Sequence, residues 1–136
     1  MPVVSFPCLE QGDTIEVAFA NPQGNEIPYR LLVDSGFTGQ SSFVLPETAS
    51  LFAHARAPTA ETSGALQGVQ KRIVVMYRIP ALSFQATAIA ILADTSSLAL
   101  PPGVNGMAGL QFLRQFRRWG AERSDDGAWR FFLEVS

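Results

Sequence analysis

Leu31-Leu32-Val33-Asp34-Ser35-Gly36-Phe37-Thr38-Gly39 is the stretch on which the reading turns: an apolar run ends in a carboxylate, a hydroxyl and two glycines. An aspartate at the end of a buried strand needs hydrogen-bond donors or an opposite charge, because an ionised carboxylate taken out of water otherwise costs several kcal/mol. Ser35 and the glycine amides are donors of the right kind. Gly36 and Gly39 allow the sharp turn that would aim those amides back at Asp34. Read alone, Asp-Ser-Gly fits an ordinary turn after a strand equally well.

The residues before this stretch have strand periodicity. Ile15, Val17 and Phe19 alternate with other residues from Thr14 to Phe19, and Ile27, Tyr29, Leu31 and Val33 do so from Ile27 to Val33. Asn21-Pro22-Gln23-Gly24-Asn25 between them is a cluster of turn formers, so the two segments read as a hairpin.

After the stretch, Ser42 to Leu45 is a short apolar strand that stops at Pro46-Glu47, where a short helix to about Ala55 is expected. Gly64 and Gly68 flank a polar stretch. Beyond it Ile73, Val75, Tyr77 and Ile79 share one parity, Pro80 marks a bend, and a further strand runs from Leu82 to Leu92. Pro101-Pro102-Gly103 gives Thr95 to Asn105 a loop signature. Met107, Leu110, Leu113 and Phe116 then follow at helical spacing, the clearest helix of the chain. Asp126-Gly127 reads as a two-residue hairpin turn, and Trp129, Phe131, Leu133 and Val135 alternate in a terminal strand. Many short strands with one or two short helices, without internal repeat, describe a mainly β domain of barrel or sandwich type.

Composition narrows the function classes. The 136 residues, 47% hydrophobic, suit one domain spanning 1–136. Ten basic residues against 12 acidic ones, with no basic run, argue against nucleic acid as a partner. Cys8 is the only cysteine, so no internal disulfide forms, and no thiol or histidine cluster stands ready for a metal. The opening Met1 to Pro7 lacks a basic n-region and a long apolar core, and Ala86 to Ala93 falls far short of a membrane span, so a soluble, cytoplasmic protein without a membrane partner is expected.

The segment Leu32-Val33-Asp34-Ser35-Gly36, followed by Phe43-Val44-Leu45, resembles the active-site segment of the retropepsin-like, single-lobed aspartic peptidases, whose hallmark is apolar residues followed by Asp-Thr-Gly or Asp-Ser-Gly. Met107-Ala108-Gly109-Leu110-Gln111-Phe112-Leu113-Arg114 is similar to the family's downstream element, in which an apolar pair and a glycine open a helix beneath the active site. The order of the two elements and the terminal hairpin agree as well, so the resemblance covers Ile27 to the C-terminus. Phe37, where a small residue is common, and Gln111, where many relatives place an aspartate, depart from the pattern.

The resemblance implies a closed single-lobe acid-protease barrel and an aspartic endopeptidase acting on peptide or protein substrates. Asp34 would be the catalytic carboxylate, Ser35 would brace the active-site loops and Gly36 would let them approach. Because Asp13, Asp94, Asp125 and Asp126 lack the apolar-strand setting, the second catalytic carboxylate would come from another copy in a two-fold homodimer. No metal or cofactor is implied. A flap closing over the substrate would lie in Thr59 to Gly68, with Ser63 and Gly64 near its tip. The competing expectation is a catalytically inactive module of the same fold that dimerises or binds peptides. Cys8 reads as a small structural residue, His54 as a surface or helix-end residue, and Arg114, Arg117 and Arg118 as one solvated helix face. Trp119 and Trp129 fit either a dimer contact or the core.

Overall fold

The computed structural model describes residues 2–62 and 68–136. Its first hairpin joins β2 (Thr14–Ala20) to β3 (Glu26–Val33), preceded by β1 (Val3–Pro7). β2 buries Ile15, Val17 and Phe19 on one side, as alternation requires. The connection is held by Asn21: its Oδ1 accepts from the amides of Gln23 and Asn25, and Gly24 takes a left-handed φ of 89°.

β4 (Phe43–Pro46), β5 (Ala55–Thr62), β6 (Gly68–Ile79), β7 (Phe84–Ala93) and β8 (Gly106–Ala108) complete the larger sheet. Its order is β2-β3-β8-β4-β7-β6-β5, and a further pairing of β2 with β6 closes six of these strands into a barrel. β6 makes that closure possible. One edge pairs with β7 from Lys71 to Ile79, while the other pairs with β2 at Met76 to Arg78 and with β5 nearer its start. Between β6 and β7, Pro80 begins a 3₁₀ turn to Leu82, and Ser83 in the left-handed region turns the chain back.

After β8 come a one-turn helix, α1 (Leu110–Leu113), then β9 (Arg118–Arg123) and β10 (Trp129–Glu134), which with β1 form a three-stranded sheet in the order β1-β10-β9. β10 lays Phe131 and Leu133 onto the barrel core. That core is aromatic at its centre. Phe43 stands edge-on to Phe19 and Tyr77, with ring centroids 5.2 and 5.1 Å away, and Phe112 lies 5.2 Å from it.

Several sequence expectations need correcting. The helix read through Met107 to Phe116 is confined to Leu110–Leu113, because Met107 belongs to β8 and pairs with Leu32 on one side and Val44 on the other. Leu113 and Phe116 still reach the core, the latter from the turn after α1. The helix expected to run to Ala55 is a 3₁₀ segment, Glu47–Phe52. The two-residue turn at Asp126-Gly127 is a longer loop from Ser124 to Ala128, in which Asp126 Oδ1 accepts from the Ala128 amide and the Ser124 hydroxyl. Arg118 lies in β9, so no helix face joins it to Arg114. Arg117 and Arg118 instead pair with the largely buried Glu134 at 3.8 and 3.3 Å. β1 had no counterpart in the sequence reading, while β5 and β9 were implied there only by the hairpin expected across Thr59 to Gly68 and by the terminal hairpin, without strand bounds of their own. No helix among the described residues is long and apolar enough to cross a membrane.

Candidate functional site

β8 is short, yet it organises the site. It runs parallel to β3, with Val33 opposite Ala108, and antiparallel to β4, with Phe43 also opposite Ala108. The chain from Asp34 to Ser42 therefore leaves one neighbour of β8 and returns as the other, and β8 passes between its ends. Only glycine suits Gly106 at the start of β8, since a Cβ there would stand 2.3 Å from the Val44 carbonyl oxygen.

Backbone bonds fix the loop to the segment after β8. Asp34 N–H donates to the Ala108 carbonyl at 2.9 Å, Gly109 N–H donates to Ser42 O at 2.9 Å, and Leu110 N–H donates to Phe37 O at 2.9 Å. The first turn of α1 is thus satisfied by the loop it supports. Gly109 has no room for a side chain: a Cβ would meet the Phe37 ring at 2.4 Å and its carbonyl oxygen at 2.7 Å. That close approach is a physical reason for the glycine in Met107-Ala108-Gly109.

Asp34 is half-buried at the end of β3, and Ser35 and Gly36 are exposed beside it. Its Oδ1 accepts the Gly36 amide at 2.9 Å, and its carbonyl accepts the Phe37 amide at 3.1 Å. Oδ2 has no hydrogen-bond partner among the described residues. A Cβ at Gly36 would lie 3.2 Å from Oδ1, so glycine lets the amide approach. Gly39 supplies the left-handed step of the loop, with φ 110°. The donors expected for Asp34 thus come from Gly36; Ser35 makes no bond to it.

Strand alternation builds an apolar shelf beside the loop. Phe43 and Leu45 face the barrel interior, and Val44 faces out, where it clusters with Ile91, Ala93 and Met107. Phe37, Leu98 and Leu100 pack against this second cluster. Phe37, a departure from the family pattern, therefore has a local role: its ring joins the shelf and its carbonyl holds α1. The sequence reading did not single out Leu98 or Leu100. Their one signal was two leucines inside an otherwise turn-forming segment.

Two other aspartates, Asp94 and Asp126, are engaged locally. Asp94 Oδ1 accepts from the Ser96 amide at 3.1 Å and its hydroxyl at 2.7 Å, which holds the Asp94 carboxyl below its usual range, and Asp126 is lowered by Ser124 and Ala128 in the same way. Cys8 is partly buried, and that burial, with a hydrogen bond to Asp13, pushes its thiol up to about 11. The thiol is thereby held in its protonated form near neutral pH. His54 follows the 3₁₀ segment, exposed, with Nε2 2.8 Å from the Ala20 carbonyl. Trp119 and Trp129 are both on the surface, 36% and 55% exposed. Ser63 and Gly64 lie outside the described residues; the strands before and after them, β5 and β6, pair Thr62 with Gly68. No protein-family model matches this chain, and no curated protein matches it either.

Proposed function

We propose that this chain is a retropepsin-like aspartic endopeptidase, active as a two-fold homodimer in which Asp34 of each copy flanks one water. The observation that carries the reading is the Asp34 carboxylate at the end of β3: anchored through Oδ1 by the Gly36 amide, open at Oδ2, and set on a loop clamped to β8 and α1. An anchored but accessible carboxylate differs from one buried for structural reasons.

Two carboxylates about 3 Å apart share one proton, because both cannot ionise at that distance. The ionised one takes a proton from the water as its oxygen attacks the peptide carbonyl, and the protonated one donates to the carbonyl oxygen. The tetrahedral diol then collapses. Its C–N bond breaks, the amine leaves with a proton from the dyad, and the product acid keeps the water oxygen. No covalent intermediate with the protein forms. Across the dimer axis the Ser35 hydroxyls brace the two loops, and Gly36 leaves room for them to approach. An extended substrate would lie over the loop with side chains against the partly buried Phe37, Leu98 and Leu100 that cover the second cluster, beneath a flap carrying Ser63 and Gly64.

The test is cleavage of a diverse peptide library from pH 4 to 8 by the parent protein and Asp34→Asn, with the mass of each measured by sedimentation. Cleavage by a dimeric parent, reduced at least about a thousandfold in the variant, is expected. A dimeric parent that cleaves nothing sinks the peptidase reading in favour of a binding module, and a monomeric parent that cleaves peptides sinks the shared-site mechanism.

A further inference from the structure

Along β6 the inward-facing positions Ile79, Tyr77, Val75 and Ile73 are buried, and the next position of that parity is Lys71. Its cross-strand neighbour on β7 is Leu92, and the neighbour of Ile73 on β5 is Arg56. Residues directly opposite in adjacent strands share a face. Two cations therefore continue the core-facing surface where β6 has exchanged β2 for β5 as its edge partner. A cavity of about 620 Å³ opens there, within the size range of small-molecule sites.

The cavity floor is apolar, since Ile73 and Leu92 are 5% and 9% exposed. Its rim carries Arg56, Lys71 and Arg72 against a single carboxylate among the described residues, Glu47. Arg72 is already committed in part, with Nε donating to Pro58 O at 2.6 Å across the irregularity between Ala57 and Ala60 of β5. Arg56 and Lys71 have no ion pair among the described residues. Unpaired like charges set over an apolar floor offer strong donors for an anion, and the floor offers burial for what the anion is attached to.

We propose that this cavity binds a small organic anion, a phosphate or carboxylate group on a compact apolar body, with the charged head between Arg56 and Lys71 and the body on Ile73 and Leu92. The site is separate from Asp34 and independent of the peptidase reading. Because its walls come from β5, β6 and the 3₁₀ segment following β4, an occupant ties the β5–β6 hairpin to the strand that leads from the Asp34 loop.

The experiment is an NMR titration of the full chain at pH 7 with phenyl phosphate, benzoate, inorganic phosphate and benzyl alcohol. Phenyl phosphate or benzoate is expected to shift the amides of Arg56, Lys71, Ile73 and Leu92, and the tighter of the two identifies the head group. Benzyl alcohol should bind at least about tenfold more weakly, as should inorganic phosphate, each having lost one of the two kinds of contact. Arg56→Gln with Lys71→Gln should weaken the organic anions by about tenfold or more while leaving distant amides in place; if the pair disturbs folding, Arg56→Gln alone should still weaken them measurably. No shifts at these amides at millimolar anion, undiminished binding by the folded variants, or equal binding of benzyl alcohol would overturn the proposal.

Discussion

The two ends of β4 are built in different ways. At one end Phe43 lies opposite Ala108, beside the Asp34 loop, where glycines and backbone bonds leave no slack. At the other, Leu45 lies opposite Leu92, which in turn faces Lys71 across β7 and β6, and the interior opens into a cavity with a charged rim. The first end is tight so that one carboxylate is held in one place. The second is loose: Arg72 is held by the Pro58 carbonyl, but Arg56 and Lys71 are placed by register, with no ion pair among the described residues. The same barrel can therefore hold a clamped loop and an open mouth within one short strand of each other.

If the clamped end is as rigid as its contacts require, core damage there should cost most. Phe43→Ala removes a fully buried ring that meets Phe19, Tyr77 and Phe112. A loss of about 4 kcal/mol in urea unfolding is expected. A loss under about 1 kcal/mol would mean that the surrounding rings collapse into the gap, and that this end is as adaptable as the other.

Gly106→Ala sharpens the contrast without touching the aromatic core. The new methyl would stand 2.3 Å from the Val44 carbonyl, a backbone atom of a strand paired on both sides, and 3.3 Å from a Leu45 methyl. β4 and β8 must separate, at an expected cost of about 3 kcal/mol in the same assay. Stability within about 0.5 kcal/mol of the parent would show that β8 is not clamped between its neighbours.

This difference also decides what the sequence could tell. The Asp34 loop is a local feature: apolar run, acid and glycines stand next to one another, so its place at a strand end and its glycine-dependent turn could be expected from residues alone. The β2–β3 hairpin was readable for the same reason, through alternation and Asn21 to Asn25. Where placement depended on distant partners, reading failed. Met107 has helical spacing to Leu110 and Leu113 but is held in β8 by Leu32 and Val44, both far away in sequence. β9, with its charged and exposed residues, has no pattern of its own and is a strand because β10 pairs with it. Arg56 and Lys71 lie in different strands, and nothing in either strand says that they share a face with Ile73 until the register is known.

Between the two ends, Tyr77 supplies a smaller test. Its ring is fully buried among Phe43, Phe84 and Phe112, and its hydroxyl donates to Gln115 Oε1 at 3.1 Å. Burial raises the phenol well above its ordinary pKa. The folded state thus favours the neutral phenol, so this stabilisation is complete below the unfolded tyrosine value near 10 and is lost as pH climbs beyond it. Tyr77→Phe keeps the ring and removes the bond, and should cost about 1 kcal/mol at pH 7 while flattening the loss of stability above pH 10. An unchanged alkaline profile would assign that loss to other groups.

The smallest effect is expected at the open end, and with the opposite sign. Lys71→Leu puts an apolar side chain on the core-facing parity of β6, next to Leu92 and beyond Ile73, and removes one member of an unpaired cationic pair. At most a few methylenes gain cover, because the mouth stays open, so thermal unfolding should show a gain of less than about 1 kcal/mol. The variant should at the same time lose affinity for phenyl phosphate. A gain in stability bought with a loss of anion binding would mean that the charge is kept at a cost to the fold, as expected of a site. A loss of stability would mean instead that the ammonium makes a stabilising contact of its own, and the two ends of β4 would then differ less than their chemistry implies.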